Sequence, residues 1–110
     1  MIFEKDGNIT LVIQEKCSIP ELVKKLEATY PKFKDDNVII NLLVSKDVAL
    51  SNMKGFLEIS TRHREANHSF VIVSNQIDLD EIPDEIVVVP TVKEAYDVIE
   101  MEDMERDLGF

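Results

Sequence analysis

A single cysteine, Cys17, stands in this chain, so no internal disulfide can form and a reducing compartment is the expectation. Glycine is scarce and scattered, at Gly7, Gly55 and Gly109, which leaves no glycine-rich phosphate loop and no dinucleotide fingerprint. Positive charge is also short: 12 Lys and Arg against 22 Asp and Glu give a net charge of −10, which repels phosphate backbones. The one basic cluster, Arg62-His63-Arg64, has Glu65 beside it, so nucleic acid is not an expected partner. No apolar run approaches the roughly twenty residues of a membrane span. Met1 to Val12 carries acidic residues and a turn where a signal peptide needs a basic start and an apolar run, so a cytoplasmic protein without a membrane role is expected.

What is present points to one α/β domain, since 110 residues suffice for one core and not for two. Residues 37 to 74 organise it. Val38 to Val44 is apolar except for Asn41, and Phe70 to Val73 repeats the pattern, as strands covered on both faces do in a parallel sheet. Between them the sequence predicts a loop at 45–51 and a helix of about sixteen residues, a right-handed βαβ unit. Leu50, Met53 and Leu57 are expected to face the sheet, with Lys54, Glu58 and Arg62 as a solvated row. Ile40, Leu42, Val71, Val73 and Val87 are expected to be buried.

Upstream, the Asp6-Gly7 pair predicts a hairpin joining Met1–Glu4 to Ile9–Ile13. Ser18-Ile-Pro-Glu21 is a capping-box signature, and Ile19, Leu22, Val23 and Leu26 give the helix it opens an apolar stripe that stops at Tyr30-Pro31. Downstream, Asn75 to Glu85 lacks the ligand spacing of a calcium loop and reads as a solvated connection with one helical turn. A short buried strand at Ile86–Val89 precedes a second capping box, Thr91-Val-Lys-Glu94, and a final helix. Residues 1–100 form the domain, and 101–110 an acidic helix extension or tail.

Chemistry-bearing residues are sparse. His63 and His68 have only Glu58 and Glu65 near them in sequence, short of the converging ligands of a hydrolytic zinc site, and are expected at the surface. Cys17 has no nearby histidine and reads as an unreactive thiol. Ser51 lies outside any Gly-x-Ser-x-Gly elbow. No enzyme, metal or cofactor is expected. On the residues alone, Ser51 reads as an N-cap for the amide of Met53 or Lys54.

The element order, ending in Val-Val-Pro-Thr-x-x-Glu-Ala at residues 88–95, resembles the STAS domain of bacterial anti-sigma-factor antagonists over nearly the whole chain. The resemblance implies a mixed sheet of about five strands with an N-terminal antiparallel hairpin and helices packed mainly on one face. An ungapped count from Asn41 sets Ala49-Leu50-Ser51-Asn52-Met53 on the family's Asp-Ser-Ser-Gly-Leu motif and Ser51 on its phosphoacceptor, with Ala49, Leu50 and Asn52 departing from it. Asn67 falls where the family often has a helix-ending glycine. By resemblance, a partner such as an anti-sigma factor or serine-kinase-like regulator docks on Ser45, Lys46, Asp47, Ala49, Leu50, Ser51, Asn52, Lys54 and Gly55. Phosphate on Ser51 would switch that docking, and the chain would be a monomer or weak homodimer. The alternatives are a degenerate module that scaffolds or dimerises through the C-terminal helix, and a small-ligand or nucleotide binder in the loop pocket.

Overall fold

Gly7 turns the chain back on itself at the start. In the computed structural model, which describes residues 2–13, 18–43, 53–77 and 79–109, β1 (Ile2–Asp6) and β2 (Ile9–Ile13) pair antiparallel. Asp6 lies opposite Ile9, so Gly7 and Asn8 alone connect the strands. Gly7 takes a φ of 59°, the left-handed backbone that a two-residue turn demands and side chains resist. From β2 onward the pairing is parallel, through β3 (Asn37–Asn41), β4 (Phe70–Val73) and β5 (Val87–Val89), giving the five-stranded order β1-β2-β3-β4-β5.

Strand periodicity divides the apolar runs between two cores. Val38, Ile40, Phe70 and Ile72 turn to one face, where α1 (Ile19–Thr29) with Leu22 and Leu26, α2 (Leu57–Glu65) with Ile59, and Phe56 just ahead of α2 cover them. Ile39, Val71 and Val73 turn to the other face, under Ala95 and Ile99 of α3 (Val92–Asp107). Among the described residues, α1 and α2 thus share one face, and α3 closes the sandwich from the other. Both capping serine/threonine residues work as the sequence predicts: Ser18 Oγ accepts from the Glu21 amide at 3.4 Å and Thr91 Oγ1 from the Glu94 amide at 3.1 Å. A 3-10 turn at Leu79–Glu81 supplies the helical turn expected in the acidic connection.

Three expectations need correction. The strand read as Val38–Val44 ends as β3 at Asn41, whose Oδ1 accepts the Leu43 amide at 3.0 Å and folds the backbone into a side-chain-closed turn. Val44 lies outside the described residues. Ile40, Leu42, Val71 and Val73 are fully buried, whereas Val87 is only half-buried, because β5 is an edge strand with one open flank. The row facing the sheet ahead of and along α2 is Met53, as expected, then Phe56, Ile59, Ser60 and His63, while Leu57 leaves it. A 3-10 turn at Lys54–Phe56 explains the shift: three residues per turn eclipse Phe56 on Met53 and roll Leu57 to a half-buried flank. Leu50 lies outside the described residues.

The end of α2 is closed by main-chain bonds. Asn67 carries a φ of 67°, the His68 amide donates to the His63 carbonyl at 3.2 Å, and the Asn67 amide donates to the Arg64 carbonyl at 3.0 Å. That double bond pattern is a Schellman cap with asparagine in the left-handed position.

Candidate functional site

The described chain resumes at Met53, just ahead of the 3-10 turn and α2. Of the residues expected to dock a partner, Lys54 and Gly55 are both exposed on that first turn. Ser45, Lys46, Asp47, Ala49, Leu50, Ser51 and Asn52 lie outside the described residues. Gly55 owes nothing to backbone strain: a Cβ there would meet only Val23 Cγ2 of α1 at 3.5 Å, an ordinary contact. Its absence of a side chain opens the surface rather than the fold.

Beyond Lys54 the helix presents the predicted charged row, tied at its far end. Arg62 reaches Glu58 at 3.5 Å one turn back and grips Glu27 of α1 through both terminal nitrogens, at 3.0 and 3.3 Å. Its guanidinium also lies 5.4 Å from the Tyr30 ring centroid. The hydrogen bonds and charge of Glu27 raise the Arg62 pKa further, so this cation is permanent. Lys54, Leu57, Glu58, Thr61, Arg62 and Glu65 line a shallow open groove along this surface.

His63, expected at the surface, is fully buried. It sits seven residues after Phe56 and four after Ile59, on the stripe those side chains drive against the sheet, and that spacing was the available signal. Nε2 lies 2.6 Å from the Asp36 carbonyl oxygen and Nδ1 lies 2.9 Å from the Tyr30 hydroxyl. A carbonyl only accepts, so Nε2 carries the proton and Nδ1 accepts from Tyr30. Burial lowers the His63 pKa and outweighs the opposing bond to Asp36, with the charges of His68 and Arg64 adding to the fall. Burial raises the Tyr30 pKa as well, keeping that hydroxyl a donor. Both ring nitrogens are engaged, and the ring packs edge-on against Tyr30, Phe33 and Phe70. The pair braces the core and presents no free base. Among the described residues no three His, Cys, Asp or Glu side chains converge as metal ligands.

A second polar cluster, unforeseen in the sequence, gathers at the amino ends of β3 and β4. Asn37 Oδ1 accepts the Ser69 amide at 2.8 Å, and Asn37 Nδ2 donates to the Asp103 carboxylate at 3.3 Å. Arg106 donates to Ser69 Oγ at 3.0 Å and to Asn37 Oδ1 at 3.3 Å, and pairs with Asp103. Arg64 of α2 reaches Glu102 at 3.1 Å and the Phe70 carbonyl at 3.0 Å. Residues 101–107 therefore continue α3, clamped to the sheet by charge. Sequence reasoning offered an acidic helix extension or tail here and did not foresee the clamp, because the partners Asn37, Ser69 and Arg64 are more than thirty residues away.

No protein-family model matches this sequence, and no curated protein is significantly similar to it. Among the described residues no helix is long and apolar enough to cross a membrane.

Proposed function

We propose that this chain is a STAS-type, cytoplasmic, non-enzymatic regulatory protein. Its partner, an anti-sigma factor or serine-kinase-like regulator, docks on the loop and helix start around Ser51, and phosphate on Ser51 switches the contact. The observation that supports this reading best is the position of β3: it is the middle strand of a hairpin-plus-parallel sheet, and the sequence running on to Ser51 follows its carboxyl end, where open α/β sheets bear their function. Lys54 and Gly55, exposed on the turn that follows, supply the near edge of the surface. The engaged nitrogens of His63 support a binding role over a catalytic one. Added phosphate would bring between about −1.5 and −2 charges to a chain already at −10, repelling an acidic or closely fitted partner.

The test is co-purification of the tagged native chain, with mass spectrometry of the bound protein and of Ser51. In a pull-down with that partner, Ser51→Ala should retain it and Ser51→Asp should release it. Equal retention of wild type and both variants would mean that charge at Ser51 carries no signal, and a scaffold without a switch would replace this reading.

A further inference from the structure

The helix α3 is amphipathic in two opposite senses along its length. Ala95 and Ile99 are buried against the sheet and set the roll of the helix. The residues that continue that inward face are Glu102, Asp103 and Arg106, all held in the charged clamp. The outward face runs the other way. It begins with the exposed Asp97 and becomes Met101, Met104 and Leu108, at 62%, 58% and 70% exposure. Single exposed apolar residues are common and mean little. Three at i, i+3 and i+7, on a helix whose opposite face is pinned by ion pairs, form one fixed apolar stripe. With Glu105 they line a shallow groove.

We propose that this stripe is a docking surface for a basic amphipathic helix of another protein. Methionine side chains adapt to varied apolar partners, and a helix laid in such a groove is anchored at i, i+3, i+4 and i+7 positions. The charge of the partner follows from the rim. Glu100 and Glu105 flank the stripe and are exposed, and neither forms an ion pair among the described residues. A second copy of this chain would set its own Glu100 and Glu105 against them at a net charge of −10 per copy, so a homodimer through this face is opposed. Lysine and arginine beside the partner's apolar anchors meet the same carboxylates favourably. The surface lies at the amino end of the parallel strands and on the face opposite α2, so it is independent of the docking assigned to the Ser51 loop.

Fluorescence anisotropy of the full chain with labelled synthetic peptides tests this. The probes are a leucine–lysine peptide with leucines at helical spacing, the same residues in scrambled order, and the ordered peptide with glutamate replacing lysine. The ordered basic peptide should bind at least about tenfold more tightly than either control, and the double variant Met101→Gln, Met104→Gln should lose about tenfold in affinity while keeping its thermal midpoint. Equal binding of the ordered and scrambled basic peptides, or undiminished binding by the double variant, would reduce the effect to net charge and overturn the proposal. So would the absence of peptide binding. A concentration-dependent dimer in sedimentation that the double variant abolishes would assign the stripe to a second copy instead.

Discussion

His63 is the residue whose protonation the fold resists. Charging it in place would bury a cation among Tyr30, Phe33 and Phe70, next to Arg64 and His68. The folded chain therefore takes up this proton less readily than the unfolded chain, where a histidine titrates near its ordinary value of 6.5. A depressed folded pKa gives stability that is complete above the unfolded value of 6.5 and declines as pH falls from there toward the folded pKa. Urea midpoints should thus drop between about pH 7.5 and about pH 5.5, a range in which ordinary carboxylates stay largely ionised. His63→Gln should be less stable at the higher pH by about 1 to 3 kcal/mol, from the partners it leaves unsatisfied, and should show a flatter pH profile. A wild-type slope unchanged by His63→Gln would place the titrating group elsewhere.

At the scale of elements, the 3-10 turn before α2 decides which side chains hold the helix. Phe56 is fully buried and meets Phe70 with ring centroids 6.4 Å apart, so Phe56→Ala should cost about 3 to 5 kcal/mol. Leu57, half-buried on the flank, should cost about 1 kcal/mol on truncation to alanine. Comparable losses for the two in chemical denaturation would mean that the helix keeps a 3.6-residue period through Lys54–Phe56. The cap at the other end makes its own forecast. Asn67→Gly should fold at least as stably as wild type, while Asn67→Val, forced into a left-handed backbone, should lose about 1 to 2 kcal/mol or shorten α2.

Across the whole molecule, the sheet and its two cores were legible because burial imposes periods that a sequence displays. The alternation Val38/Ile40 against Ile39, and the capping boxes at Ser18 and Thr91, carry their structural meaning within a few residues. What was hidden depends on distance or on local winding. The eclipsing of Phe56 on Met53 needs a change of helix pitch that side-chain periodicity alone does not announce. His63 looked like one member of a basic cluster until Tyr30 and the Asp36 carbonyl, 33 and 27 residues earlier, came to its ring. The clamp of Asn37, Ser69, Asp103 and Arg106 joins β3, the residue ahead of β4 and α3, and acidity masked it. Arg106→Ala would strand those groups and should lower stability by about 1 to 3 kcal/mol at low salt, less at high salt where the partly exposed Asp103 is screened. Loss of the α3 signal without loss of the sheet, followed by amide exchange, would locate the damage in residues 101–107.

The proposed partner-binding surface around Ser51 is best mapped by nuclear magnetic resonance of the labelled full chain titrated with a co-purified partner. The account predicts that the amides of residues 45–55, with Lys54 and Gly55 among them, shift most, and that Ser51→Asp abolishes those shifts while leaving the folded spectrum intact. Shifts confined to α3 or to the β1 edge, with residues 45–55 unmoved, would contradict it.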